Sequence, residues 1–254
     1  MRQGNKDSLE KLQESFRNLE GNIHVLERAV PVVLQMAYFK YSERLRRRNA
    51  PPRPLSAEEC ESMYATLCTN DLVTVEGKKH ILSQLATSQC VRAYRLLEEY
   101  AQIADPDVLD WAAMALMESR MFLASTFSEE KQIYISSGLG GRGEKLRFYV
   151  LLMSKDRVPF KEYQRQTIER EFAFYLPKMD CEIERLSIGE QYVELVFLVP
   201  YRVELKPMLD RVIEECNQYG DFLSGVALVS NVKELTPDEV ADIINKHENN
   251  KAGH

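Results

Sequence analysis

The spacing of the apolar residues changes once along this 254-residue chain, near residue 130, and this change is the strongest constraint on its fold. Before it, apolar residues recur three and four positions apart, as in amphipathic helices; after it, strand-like apolar runs alternate with helical segments. The sequence therefore predicts an α+β protein with a helical domain at residues 1–128 and a mixed domain at residues 146–247. Residues 129–145 are expected to form a strand and a glycine-rich joint, and residues 248–254 a disordered tail.

The mixed domain contains six segments in the order strand, helix, strand, strand, helix, strand. They are residues 145–153, 159–176, 181–188, 192–200, 205–219 and 222–229. This β-α-β-β-α-β order is that of ferredoxin-like domains, and the helix that begins after Thr236 is additional to it. Both faces of the first and third strands are apolar, so the second face of the sheet needs a cover. The helical domain, a second copy of the chain and an apolar ligand are the three alternatives.

Eight apolar residues near the start of the chain are spaced alternately three and four apart, which places them on one stripe of a helix. They are Leu9, Leu12, Phe16, Leu19, Ile23, Leu26, Val30 and Val33. The stripe is either a coiled-coil arm that binds a partner or a first helix packed on its own domain. Gly21 and Pro31 interrupt it, which disfavours a long coiled coil. The arginine-rich residues 44–48 end the helix, and the proline-rich connector 49–55 is expected to be extended.

Four more helices are expected in the helical domain, at residues 56–67, 76–86, 89–103 and 106–127. In the last pair, Val91-Arg92-Ala93-Tyr94-Arg95-Leu96-Leu97 is followed by Asp105-Pro106-Asp107-Val108-Leu109-Asp110-Trp111-Ala112-Ala113-Met114-Ala115-Leu116. This segment, about residues 88–126, resembles a HEAT-type helical repeat. The resemblance implies a protein-binding surface. Because a solenoid needs about three or more repeats to bury its core, a helical bundle or a short helical repeat is predicted.

The most conspicuous local motif is a glycine-rich loop whose first, third and sixth positions spell the GxGxxG spacing of dinucleotide sites. In those sites the phosphate lies at the N-terminus of a following helix, whereas here a strand follows. The loop could instead offer backbone N–H groups and cations to an anion. The predicted ligand-binding residues are Gly138, Gly140, Gly141, Arg142, Gly143, Lys145 and Arg147. The alternative is a hinge or hairpin in which the glycines serve only the turn.

The sequence contains no pattern typical of a catalytic or metal site. The four histidines are scattered, with no HExxH pair, and no Gly-x-Ser-x-Gly motif occurs. The five cysteines include no CxxC pair, which favours buried thiols in a reducing compartment. We therefore predict no catalytic residues, no metal site and no cofactor.

The net charge of −6 argues against binding nucleic acid or anionic membrane through the overall field. Because no secretory signal is apparent, we expect a cytoplasmic protein. The leading hypothesis is a non-enzymatic protein-interaction or scaffold protein with protein partners, and a homodimer is one form of it. The first alternative is a small anionic ligand or nucleotide bound at the glycine-rich loop of a regulatory module. The second is RNA binding, because RRM domains share the β-α-β-β-α-β order, although an acid and aliphatic residues occupy the expected base-stacking strand.

Overall fold

The computed structural model describes residues 21–48, 54–69, 72–155 and 157–249, with side chains through residue 245. It combines helices and strands, which confirms the α+β class. The chain divides into two compact units, one ending at Leu146 and one beginning at Arg147. The predicted stripe residues 9–19, the connector residues 49–53 and the tail residues 250–254 lie outside the described residues.

The part of the first unit that the structure describes contains five helices and a short parallel sheet. The helices are α1 (Val32–Arg48), α2 (Ala57–Thr69), α3 (Val75–Thr87), α4 (Val91–Ile103) and α5 (Pro106–Phe127). The strands are β1 (Asn22–Val25) and β2 (Gln132–Ile135), which pair in parallel. The bounds of α2 to α5 confirm the predictions within two residues at each end, because local signals such as the reciprocal bonds between Ser56 and Glu59 begin these helices.

The prediction of one helical stripe through Ile23 and Val33 is wrong. Residues 22–25 form β1, and the helix begins only after Pro31, which has no N–H group for a helical hydrogen bond. Gly21 adopts a φ of +137°, and a Cβ there would lie 2.1 Å from the carbonyl oxygen of Lys131. This close approach starts the pairing of β1 with β2, so the apolar residues at 23 and 26 enter the core from a strand and the loop after it.

The core of the first unit is built around α5, which packs against both α3 and α4. A helix that contacts neighbours on two sides needs apolar residues around most of its circumference. This explains the nearly continuous apolar sequence of α5 and confirms that it is buried. Its fully or almost fully buried apolar residues are Val108, Trp111, Ala112, Met114, Ala115 and Met117.

The second unit contains the remaining elements in the predicted order. They are β4 (Lys145–Ser154), α6 (Glu162–Lys178), β5 (Glu182–Ile188), β6 (Tyr192–Pro200), α7 (Leu205–Asn217), β7 (Leu223–Ser230) and α8 (Pro237–Asn249). The neighbours in the sheet run β7, β4, β6, β5, and β3 (Gly141–Arg142) pairs with the first two residues of β4. The β4–β7 and β5–β6 pairs are antiparallel.

The central strands β4 and β6 are buried on both faces. Every residue from Phe148 to Leu152 is buried, as is every residue from Leu195 to Val199. Successive strand residues point to opposite faces of a sheet. The prediction that both faces of these strands are covered is therefore confirmed. The helices α6 and α7 pack against each other, and they contact β5 and β7 respectively.

Candidate functional site

The glycine-rich loop is a buried turn at the end of the first unit. Residues 138–141 are buried, and the N–H groups of Gly140 and Gly141 donate to the carbonyl oxygens of Ser137 and Glu27, both at 3.2 Å. Gly140 has a φ of +68°, and a Cβ on it would lie 2.4 Å from the Glu27 carbonyl oxygen. Only glycine permits both this backbone conformation and this approach. The glycine at this position therefore has a structural role.

The predicted cationic residues of the loop lie in different environments. Arg142 and Gly143 are exposed, whereas Lys145 is half-buried. Arg147 belongs to the second unit and donates two hydrogen bonds to the Glu184 carboxylate, at 2.5 and 2.8 Å. These bonds raise the pKa of Arg147 above its ordinary value. The predicted ligand site at this loop stays a prediction, with its accessible part confined to Arg142 and Gly143.

The burial of α1 is inverted relative to an ordinary amphipathic helix. Its buried residues are spaced three and four apart, and three of the four are polar: Gln35, Tyr38, Ser42 and Leu45. Its exposed side carries apolar residues instead. Val33 is 81% exposed and Met36 68%, while Val32 and Phe39 are each 37% exposed. The prediction that Val33 lies on a covered stripe is therefore wrong.

Hydrogen bonds hold the polar side of α1 inward. The Glu118 carboxylate on α5, only 7% exposed, accepts a bond from the Tyr38 hydroxyl at 2.6 Å and bonds from Ser42 Oγ at 2.6 and 2.7 Å. Arg46 lies 3.5 Å from the same carboxylate and supplies a compensating charge. Gln35 Nε2 donates to the carbonyl oxygens of Val30 and Ser137, at 2.7 and 3.1 Å. The pKa of Tyr38 is raised well above its ordinary value, mainly because the side chain is buried and secondly because the Glu118 carboxylate lies beside its hydroxyl.

An aromatic cluster fixes the same side of α1 further. The ring of Trp111 on α5 meets Tyr38 edge-on at 5.1 Å and Tyr41 at 5.6 Å between centroids. The Tyr41 hydroxyl is 2.7 Å from His80 Nδ1 on α3, and Trp111 Nε1 donates to Ser83 Oγ at 3.0 Å. Because bonded partners on both α3 and α5 hold it, α1 cannot rotate about its axis without breaking them.

The exposed side of α1 continues from apolar to basic residues. Arg44, Arg47 and Arg48 are exposed in the last turns, and Arg47 bonds Glu43 at 2.6 Å. Cations near a helix C-terminus also complement the helix dipole. We call the exposed residues Val32, Val33, Met36 and Phe39, with these three arginines, the α1 surface. An apolar stripe therefore leads into a positively charged end.

The α1 surface was not predicted from the sequence, although two signals of it are present there. Gln35, Tyr38 and Ser42 share one side of a helix at spacings of three and four, so their side chains can bond one common partner. Glu118 is an acid in the middle of the largely apolar helix α5, after the apolar run of residues 111–117. Read together, they predict that α1 turns its polar side toward α5, because a buried carboxylate needs donors.

The sheet of the second unit offers no exposed aromatic ring on its central strands. Tyr149 and Phe197 are fully buried, and the Tyr149 hydroxyl donates to Glu194 at 2.8 Å. Burial and this carboxylate raise the pKa of Tyr149 above its ordinary value. Base stacking by an RRM-type sheet requires accessible rings. Within the described strands β4 and β6, the one aromatic residue that is not buried is Tyr192, at the first position of β6.

Among the described residues, no three or more histidine, cysteine, aspartate or glutamate side chains are grouped so that they could hold a metal ion. No described helix has both the length and the apolar character needed to cross a bilayer.

Comparisons with known proteins place this chain in no family. No family model matches the sequence, and no curated protein matches it. Among solved structures, the chain is similar to a candidate transposase from Deinococcus radiodurans R1, with 15% identity and a TM-score of 0.35. The alignment covers 43% of this chain and 95% of that chain. At this TM-score the likeness carries no argument about fold or function.

Proposed function

We propose that this protein is a non-enzymatic interaction module whose α1 surface binds an amphipathic helix of a partner protein. The observation that carries the proposal is the inverted burial of α1, with Val33 and Met36 outside and Gln35 and Ser42 inside. Contiguous exposed apolar residues rimmed by polar ones mark interaction sites in soluble proteins. Burying the polar side requires a dedicated network around Glu118, so the exposed apolar side is specified by the fold.

The chemistry of the α1 surface indicates the chemistry of its partner. The apolar residues at positions 32, 36 and 39 are spaced four and three apart. A second helix whose apolar residues have the same spacing can pack against them. The three arginines beyond them call for acidic residues at the corresponding end of that helix. The proposed partner segment is thus an amphipathic helix whose apolar stripe is followed by glutamates or aspartates.

We also propose that the second unit has the ferredoxin-like arrangement. Two observations support it: the element order from β4 to β7 and the neighbour order β7, β4, β6, β5 in the sheet. In this proposal the second unit is a platform that accompanies the binding unit. An experimental structure in which α6 and α7 lie on the same face of that sheet would support the arrangement, and helices on opposite faces would contradict it.

A labelled peptide tests the proposed α1 surface directly. The probe is a helical peptide with apolar residues at spacings of three and four followed by three glutamates, and fluorescence anisotropy measures its binding. Introducing lysines at Val33 and Met36 together (V33K/M36K) should weaken binding at least about tenfold, because apolar area buried at these side chains contributes on the order of 1.5–3 kcal/mol each.

The matched control places the same charges elsewhere on the helical unit. Val91 and Ile103, on α4, are also strongly exposed apolar residues, and V91K/I103K should change the affinity less than about twofold, since surface changes away from an interface cost little. A peptide ending in three lysines should bind more weakly than the acidic one. Equal losses in both double variants, or indifference to the peptide charge, would refute the proposal.

The anionic ligand at the glycine-rich loop remains a second proposal. The exposed position of Arg142 and the open space around Gly143 favour it. Binding of inorganic phosphate that falls at least about tenfold in R142A would support it, since a charge-assisted hydrogen bond contributes on the order of 1.5–3 kcal/mol. Unchanged binding in that variant would exclude the loop.

A further inference from the structure

We propose that Cys60 and Cys90 form a redox modification site, at which a peroxide joins the two thiols as a reversible disulfide. The site lies within the first unit, between α2 and the N-terminus of α4. It depends neither on the α1 surface nor on the glycine-rich loop, so it is a property beyond the proposed interaction function.

The fold brings the two sulfur atoms together, although the whole of α3 separates them in the sequence. Helix α2 packs against α4, and Cys90 packs against the hydrophobic cluster that contains the fully buried Cys60. The Cys60 thiol donates a hydrogen bond to the Cys90 sulfur. A bond from Arg92 Nε to Glu61 Oε1, at 2.5 Å, ties the flanking positions of the two helices together. Formation of a disulfide therefore requires only that two sulfurs already in contact approach to the bond length of about 2.05 Å.

The backbone before α4 is shaped to hold Cys90 in this position. Helix α3 ends at Thr87 and α4 begins at Val91, and within this short connection Gln89 has a left-handed φ of +60°. Such a conformation is costly for a non-glycine residue and is found preferentially at functional sites. Cys90 is also the N-cap of α4, where Ser, Thr, Asp or Asn usually bonds the first turn. Its side chain makes no capping bond, so the sulfur contacts Cys60 instead.

The unequal exposure of the two thiols determines the order in which they react. Cys90 is half-buried, whereas Cys60 has no exposed surface. Burial, and secondly the adjacent Cys90 sulfur, raise the pKa of Cys60 to about 12, so this thiol keeps its proton. Cys90 is therefore the thiol that meets the oxidant, and Cys60 is the one that resolves the product.

The peroxide supplies the oxidising equivalents in two steps. The Cys90 thiolate first attacks one peroxide oxygen: the O–O bond breaks, an S–O bond forms, and the released hydroxide takes up the thiol proton as water. The Cys60 sulfur then attacks the sulfur of this sulfenic acid. The S–S bond forms, the S–O bond breaks, and the Cys60 proton leaves with the hydroxyl group as a second water. Exchange with a free thiol restores both cysteines.

Peptide mapping of the oxidised full chain tests the proposal. Hydrogen peroxide is added to the reduced protein, the remaining thiols are blocked with N-ethylmaleimide, and unreduced tryptic peptides are analysed by mass spectrometry. A peptide pair joined through Cys60 and Cys90 should appear with two hydrogens fewer than the free peptides, and dithiothreitol should separate it. Cys60→Ala and Cys90→Ala should each abolish the cross-link. Because Cys90 is only half-buried, its variant remains informative if the Cys60 variant fails to fold.

Cys68→Ala is the matched control, since Cys68 is the exposed thiol of the same helix α2, and the cross-link should persist in it. Oxidation should also raise the thermal unfolding midpoint of this variant by about 5 °C or more, because the disulfide closes a loop of about 30 residues. The proposal is overturned if Cys68→Ala forms no cross-link, if Cys90 pairs with Cys68 instead, or if Cys90 accumulates only as a sulfinic or sulfonic acid. An oxidised Cys68→Ala variant whose midpoint does not rise would overturn it as well.

Discussion

Glu118 is the residue on which the orientation of α1 depends. Its carboxylate is nearly buried on α5, yet it accepts hydrogen bonds from two residues of α1, Tyr38 and Ser42, and lies near Arg46. A buried charge without such partners would be strongly destabilising. The carboxylate and its donors therefore stabilise one another. Replacing one of them should leave the remaining buried polar groups without a hydrogen-bond partner and so lower the stability of the fold.

Replacing Glu118 with glutamine should destabilise the helical unit. Glutamine replaces one carboxylate oxygen with an NH2 donor and removes the negative charge. If the NH2 group takes the place of Oε1, it faces Arg46 and the Ser42 hydroxyl where they now find an acceptor, and if it takes the place of Oε2, the Tyr38 hydroxyl loses its acceptor, at a cost of about 1–3 kcal/mol. Trp111 is the only tryptophan of the chain and contacts Tyr38, so its fluorescence during urea unfolding reports this loss. Glu58→Gln, at an exposed position of α2, is the control and should change the free energy of unfolding by less than about 0.5 kcal/mol.

Alanine substitutions at two glycines of the same loop distinguish the cost of backbone strain from the cost of a steric clash. Gly140 and Gly143 both have left-handed φ, +68° and +58°, but only a Cβ at 140 meets other atoms, the Glu27 carbonyl at 2.4 Å. Gly143→Ala should cost about 1 kcal/mol, the conformational penalty alone, and Gly140→Ala at least about 2 kcal/mol more because the backbone has to move. Urea unfolding followed at Trp111 measures both. Equal losses would show that the loop does not pack against residue 27 as described.

At the scale of elements, most of the fold follows from local sequence, but the orientation of α1 does not. The capping residues and the apolar period of α2 to α5 lie within each helix, so their bounds could be predicted. The orientation of α1 depends on Glu118, 80 residues after Tyr38, and the strand β1 depends on its pairing with β2 across more than 100 residues. Neither contact leaves a periodic signal. For the same reason, the loop glycines could be recognised from the sequence, whereas their contact with Glu27 could not.

At the buried position 35 of α1, a more hydrophobic side chain should therefore lower the stability of the protein. Gln35→Leu adds an apolar side chain to a buried position, but it leaves the carbonyl oxygens of Val30 and Ser137 without their donor. We expect it to lower the free energy of unfolding by about 1–3 kcal/mol.

Met36→Gln is the adjacent comparison and makes an exposed position polar. It should change stability by less than about 0.5 kcal/mol. The same Trp111 fluorescence assay measures both variants. A stabilising Gln35→Leu would mean that α1 packs as an ordinary amphipathic helix.

At the scale of the whole molecule, each unit contains a buried thiol that couples its stability to pH. Burial is the main cause that raises the pKa of Cys60, in the first unit, and of Cys216, in the second, from 9.0 to about 12. A proton therefore binds these thiols more tightly in the folded chain. Their contribution is fully present below pH 9.0 and is lost as the pH rises toward about 12.

Alkaline unfolding should therefore respond to these two cysteines. Cys60→Ala and Cys216→Ala should each reduce the fall in the thermal unfolding midpoint as the pH rises above 9.0. Cys68→Ala, at an exposed thiol, should leave that fall unchanged. If all three variants retain the parent's pH profile, the thiols at positions 60 and 216 are not protected by burial.

The inverted burial of α1 also has a consequence for protein engineering. A redesign that keeps Gln35 but otherwise exchanges the residues on opposite sides of this helix would place leucine at 42 and polar residues at 33 and 36. Combined with an apolar residue at 118, the product could gain thermal tolerance, because replacing a buried charged cluster with well-packed apolar residues is often neutral or favourable. It would also lose the proposed docking surface. Variants selected for stability alone, without a binding screen, should accordingly accumulate changes at these positions. The positions that change would identify the residues of the proposed binding surface.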